Sequence, residues 1–141
     1  MRKIIKDVKR LSVPCVDADW KSGVRIANTL LGVALNLKNA LGLAHNQIGG
    51  NRRVFIARIG GRWRKFINPQ AIELSPDTYE TLEQCFSCVG DVKVLRHHTI
   101  RIKHQIKEDV FKEETFNAED SQVIQHELDH LNGTTINDIA L

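Results

Sequence analysis

Residues 117–133 read Asn117-Ala-Glu-Asp-Ser-Gln-Val-Ile-Gln-His126-Glu127-Leu-Asp-His130-Leu-Asn-Gly133. The pattern predicts a helix from about Glu119 to Asn132. Asn117 or Asp120 can cap it, acidic residues sit in its first turn, and Gly133 stops it. On such a helix His126 and His130 stand four apart and project from one face, close enough to share one metal. Glu127 adjoins His126, where a carboxylate can reach water activated by that metal without itself being a ligand.

Nearer the N-terminus, Asp17 or Asp19 can cap a helix that runs to about Asn39, with Val24, Ala27, Leu31 and Ala34 as its apolar stripe. The stretch Leu41–Gly50 is too rich in glycine to be a helix. Val54–Ile59 and Trp63–Ile67 flank Gly60-Gly61, a hairpin signal, and Asn68-Pro69 ends the second strand. Ile100, Ile102, His104 and Ile106 alternate with polar residues, and Val110–Phe116 follows a charged turn, which predicts another hairpin. The expected architecture is α+β: small antiparallel sheets around the helix with His126 and His130, plus an N-terminal helix.

A chain of 141 residues, 42% hydrophobic, accommodates one domain over 1–141 and a core that needs no staples. The net charge of +3 is mildly basic and selects no partner on its own, so no specific nucleic acid is expected. No stretch approaches the roughly 18 apolar residues of a membrane span, and the charged N-terminus lacks the apolar core of a signal peptide. Three cysteines cannot all pair with one another, which points to a reducing compartment and a functional thiolate.

Two histidines need a further donor, and Glu83-Gln84-Cys85-Phe86-Ser87-Cys88 offers Cys85 or Cys88. Two arrangements follow. A three-ligand site keeps one position open for water and is catalytic; Cys85, Cys88, His126 and His130 together make a closed structural zinc site on a non-catalytic protein. The long separation of the two halves, a core large enough to fold without metal, and the presence of Glu127 favour the catalytic arrangement.

Three stretches, in order, resemble the signature motifs of peptide deformylases. Gly42-Leu43-Ala44-x-x-Gln47-Ile48-Gly49 is similar to GIGLAAPQIG, Glu83-x-Cys85-x-Ser87 to EGCLS, and Gln125–Gly133 to QHEIDHLNG. Val13-Pro14 and Ile67-Asn68-Pro69 add weaker echoes in family order. The resemblance implies a hydrolase that removes the N-formyl group from N-formylmethionyl nascent peptides and releases formate. By it, Cys85, His126 and His130 hold the metal and Glu127 is the general acid/base. Gln47 and the Phe86 N–H stabilise the oxyanion, and Leu41, Gly42, Phe86, Gln122 and Val123 line the substrate pocket. It also implies Fe(II) as the native ion, with Zn(II), Ni(II) or Co(II) as substitutes. A cytoplasmic monomer with transient ribosome contact is expected, and the short C-terminal end resembles viral members, which act in a bacterial host's cytoplasm. A zinc peptidase using the same histidines is the alternative enzyme.

The chain departs from the motifs at Ala40 and Gln84, each in a glycine position, and at His45-Asn46, which replace a small-residue/proline or small-residue/threonine pair. A left-handed backbone at Gln84 would store strain. Cys15 and Cys88 are expected as buried packing residues, and His45, His97, His98 and His104 as non-ligands. Arg96 is expected to pair with Asp129 in support of the metal site.

Overall fold

Alternation of apolar residues on both faces explains why the central sheet is buried from two sides. The computed structural model describes residues 3–141. The larger sheet contains β1 (Gly42–Ala44), β2 (Val54–Ile59), β3 (Arg62–Leu74), β6 (Thr99–Lys107) and β7 (Val110–Asn117), in the order β1-β2-β3-β6-β7 and antiparallel throughout. A separate two-stranded sheet pairs β4 (Thr78–Glu83) with β5 (Val92–His97). The helices are a short α1 (Val8–Leu11), α2 (Trp20–Ala34) and α3 (Ala118–Leu131). The fold is α+β, as the sequence pattern predicts.

In β2, successive residues serve opposite cores. Phe55 and Ala57 join Phe66, Ile100, Ile102 and Phe116 against Ile124, Leu128 and Leu131 of α3. Val54 and Ile56 join Ile67 against Ala27, Leu30 and Val33 of α2. The Phe55 and Phe66 rings stack with centroids 4.8 Å apart. Gly23 lets α2 approach, since a β-carbon there would meet Ile67 Cγ2 at 2.6 Å.

Several expectations need correction. Asp19 does cap α2 through Ser22 N–H at 2.9 Å, but the helix ends at Ala34 and not near Asn39, which has a left-handed φ of 61°. Its buried stripe is Gly23, Ala27, Leu30, Val33 and Ala34, so Val24 and Leu31 lie only at its margin. Asn68-Pro69 does not end β3. Asn68 takes φ 52° and the register shifts between Ile67 and Gln70, a bulge that absorbs the missing proline N–H. A second shift between Gln105 and Lys107 turns Gln105 inward and leaves Ile106 exposed. Inside the glycine-rich segment, β1 leads into a 3-10 helix, His45–Ile48. Asn117 is the N-cap of α3, but its side chain accepts from Thr99 Oγ1 instead of a helix N–H. No helix among the described residues is long and apolar enough to cross a membrane.

Candidate metal centre and pocket

Acidic residues in its first turn and the apolar stripe of Ile124, Leu128 and Leu131 set α3 against the sheet, and α3 carries two of the three donors. The β4–β5 hairpin supplies the third from its connecting turn. Arg96 of β5 fastens that hairpin to the helix. It forks onto Glu83 through Nε and Nη2, each at 2.7 Å, and donates from Nη1 to Asp129 Oδ2 at 2.6 Å. The expected Arg96–Asp129 pair is therefore present, and Glu83, which the motif marks only by position, is an additional member. Gln125 adds two bonds, accepting from His97 N–H at 3.0 Å and donating to its carbonyl at 2.8 Å.

Glu83 also accepts from His126 Nδ1 at 2.8 Å, which aims the opposite ring nitrogen away from the carboxylate. His130 lies deeper, 1% exposed, with Nε2 3.3 Å from Cys85 Sγ. The ligand atoms of Cys85, His126 and His130 all lie within 4.8 Å of one another. One soft sulfur and two imidazole nitrogens at that separation suit a single transition-metal ion. The Ser87 N–H and the Gln47 amide point at the same sulfur, at 3.4 and 3.5 Å. Cys88 is outside the three-ligand group and half-buried, rather than fully buried as expected. Burial raises its thiol pKa, and it is held near Thr135 and Asn137.

The electrostatics differ sharply among neighbours. Burial pushes His130 down to about 3, assisted by His126 and Arg96, so its ring is neutral as ligation requires. Burial also disfavours a charged His126, but bonds to Cys85 and Glu83 outweigh it and hold the ring up at about 10 in the protein alone. Metal binding releases that proton. Burial opposes ionisation of Glu83 as well, yet the bonds from Arg96 and His126 bring it down to about 2. Glu127 is buried with no positive partner in bonding distance, and burial followed by repulsion from Glu83 and Asp129 moves it up to about 7. Its Oε1 has no hydrogen-bond partner in the protein, an uncompensated acceptor at the base of the cavity.

That cavity, about 400 Å³, is lined by Leu41, Gly42, Gln47, Cys85, Phe86, Gln122, Val123, His126 and Glu127. Every residue that the resemblance assigns to the site thus lines this cavity, apart from the more deeply buried His130. Gln47 is fixed by its own loop: Oε1 accepts from Ala44 N–H at 3.0 Å, which turns Nε2 toward Cys85 and Ser87. Gln122 is held by Tyr79 Oη at 3.2 Å and Thr81 Oγ1 at 3.4 Å, neither singled out from the sequence. Lys38, Asn39, Leu82, Glu83 and Gln84 complete the wall.

The motif departures find local explanations. Gln84 does not have a positive φ, so the turn needs no glycine there; its side chain donates to Asp91 at 2.7 Å. Asn46 Nδ2 donates to the His130 carbonyl at 2.6 Å and ties the 3-10 helix to α3. His45 lies outside the ligand group, with Nδ1 accepting from Arg52 N–H at 3.1 Å.

Comparison with known proteins accords with this geometry. The Polypeptide deformylase family profile matches residues 1–140. A peptide deformylase of Clostridium beijerinckii is 32% identical over 136 residues, covering 96% of this chain and 99% of that one. The crystal structure of peptide deformylase from Thermotoga maritima superposes with a TM-score of 0.91 at 26% identity, covering 100% of this chain and 98% of that chain. A probable peptide deformylase from synechococcus phage S-SSM7 shares the fold, with a TM-score of 0.86 at 24% identity over 99% of this chain and 98% of that chain. With the profile spanning nearly all of its length, this chain belongs to the polypeptide deformylase family, metal-dependent hydrolases that remove the N-formyl group from formylmethionyl peptides.

Proposed function

We propose that Cys85, His126 and His130 hold the metal of this deformylase, and that Glu127 is its general acid and base. The observation that carries the reading is the convergence of three ligand atoms within 4.8 Å beside a buried carboxylate whose Oε1 has no partner. A divalent cation bound there supplies Lewis acidity, lowering the pKa of water toward neutrality and polarising the formyl oxygen. Glu127 takes the proton from the attacking water. The water oxygen bonds to the formyl carbon, the carbon–nitrogen bond breaks, and Glu127 returns the proton to the departing amine, leaving formate and a free amino terminus. Gln47 Nε2 and the Phe86 N–H donate to the oxygen on which charge develops, each worth about 3 kcal/mol in the transition state.

Leu41, Gly42, Phe86, Gln122 and Val123 are the proposed wall for the first side chain of an N-formylmethionyl nascent peptide. Fe(II) is the proposed native ion on the strength of the family resemblance; a thiolate with two imidazoles suits it and equally suits Zn(II), Ni(II) and Co(II). The reading takes 1–141 as one catalytic domain, acting as a cytoplasmic monomer in transient contact with the ribosome. Anaerobically purified protein loaded with Fe(II) or Ni(II) should release formate from formyl-Met-Ala-Ser, and folded, metal-loaded Glu127→Gln should not. Full activity in that variant would remove Glu127 from the mechanism.

A further inference from the structure

We propose that the sheet face carrying α2 is an RNA-docking surface. The chain's charge is strongly segregated. Between Trp20 and Ile72 there is no Asp or Glu, while nine of the 20 Lys and Arg residues lie there. The remainder holds eleven cations against all 17 acids, a net charge of −6, so the mild overall value of +3 conceals a segment of +9.

The fold sorts these cations. Arg64 lies on the α3 side of the sheet, pairing with Glu114, and Arg53 donates to Asn132 and the Pro69 carbonyl. On the other side, Arg58 faces Trp63 across the β2–β3 ladder and Lys65 faces Ile56. Ile56 packs in the α2 core with Trp63 against it, so alternation puts Arg58, Trp63 and Lys65 on the α2 face. From α2 itself, Lys21 and Arg25, one turn apart, line a shallow groove with Trp20 and Val24. Lys21, Arg25, Arg58 and Lys65 are exposed, and none is in an ion pair among the described residues.

Both tryptophans of the chain, Trp20 and Trp63, pack against the α2-side core and remain half-exposed on this face. Exposed cations interleaved with accessible indoles match a phosphate backbone with stackable bases better than a protein acid patch or a lipid headgroup layer. α3 packs on the opposite side of the sheet, so docking here leaves the metal-bearing helix turned away from the RNA. The inference stands apart from catalysis.

The test is fluorescence anisotropy with a labelled 20-nucleotide single-stranded RNA and the metal-loaded full chain. Four phosphate contacts predict a roughly 50-fold loss of affinity between 50 and 200 mM salt. Arg58→Glu/Lys65→Glu should weaken binding by about tenfold or more and flatten the salt dependence, with formate release from a free formyl tripeptide unchanged. Lys107→Glu/Lys112→Glu, the same charge change on the β6–β7 hairpin, should have a much smaller effect. Absence of saturable binding at 50 mM salt, equal loss in both double variants, or tighter binding to phosphatidylglycerol vesicles than to RNA would each overturn the proposal.

Discussion

Gly42 lies against Glu127 so closely that a β-carbon on the glycine would fall 2.5 Å from Glu127 Oε2. The backbone at Gly42 does not require glycine, because its φ is not positive. The carboxylate alone demands the missing side chain. Gly42→Ala should therefore displace Glu127 and lower kcat/KM for formyl-Met-Ala-Ser by about 100-fold, the scale of a 1 Å misplacement. Metal content should stay at one ion per chain. Unchanged kcat/KM would show that Glu127 needs no such placement.

Glu83 has two tasks: it neutralises Arg96, whose side chain is 3% exposed, and it orients His126. Glu83→Gln keeps the shape and removes the charge, leaving Arg96 with Asp129 as its remaining anion. Metal affinity should fall by about 10- to 100-fold, as for loss of an outer partner of a ligating histidine. The melting temperature should fall too, with a loss of stability smaller than the about 3–5 kcal/mol that fully stranding a buried charge costs, because Asp129 still faces Arg96. Chelator competition and a thermal melt read the two effects separately, and wild-type metal affinity would rule out the orienting role.

The same cluster explains why part of the fold was hidden in the sequence. α3 was legible because its histidines, caps and stop residue all agree with helical spacing. The first hairpin was legible from Gly60-Gly61 between apolar runs. β4 and β5 were not, because what their small sheet buries is largely polar: Glu83 and Arg96, with Val94 as its buried apolar residue. No hydrophobic alternation announces such a pair. The run Leu35 and Leu37 extended the apparent helix past Ala34, and Pro69 masked the continuation of β3 because a bulge is invisible to residue periodicity. At the cavity, motif residues were readable, whereas Tyr79 and Thr81 carry no motif and reach Gln122 only through the tertiary fold.

Acid should loosen the β6–β7 region before it reaches the sheet core. Burial raises Glu114, but bonds from Arg64 and His104 outweigh it and bring the carboxyl from 4.5 down to about 2. Burial lowers His104, which near neutrality donates Nε2–H to Glu114 at 2.5 Å. Both folded-state values are depressed, so the unfolded chain binds protons first as pH falls. Stability should decline from about pH 6.5 through His104, and again from about 4.5 toward 2 through Glu114. Glu114→Gln should start less stable at pH 7 and lose less on going from pH 5 to 3. A parallel decline of melting temperature in both proteins would discard this account.

Gln122 places a polar amide in a wall otherwise suited to an unbranched thioether, beside Val123, Leu41, Leu82 and Phe86. Tyr79 and Thr81 occupy part of its hydrogen-bonding capacity, which keeps the amide in place and leaves the wall mixed in character. Gln122→Leu removes that amide at nearly constant volume. Tyr79 is only half-buried, so water can replace the lost acceptor at small cost. Added apolar contact of one or two methylenes is worth about 0.8 kcal/mol each, or roughly four- to fifteen-fold in kcat/KM. The variant should therefore gain on formyl-Met-Ala-Ser and lose on formyl-Gln-Ala-Ser, whose side chain can bond to the wild-type amide. The ratio of the two kcat/KM values is the quantity to measure. An unchanged ratio would place the first side chain elsewhere in the cavity and make Gln122 a hairpin-to-helix tie alone.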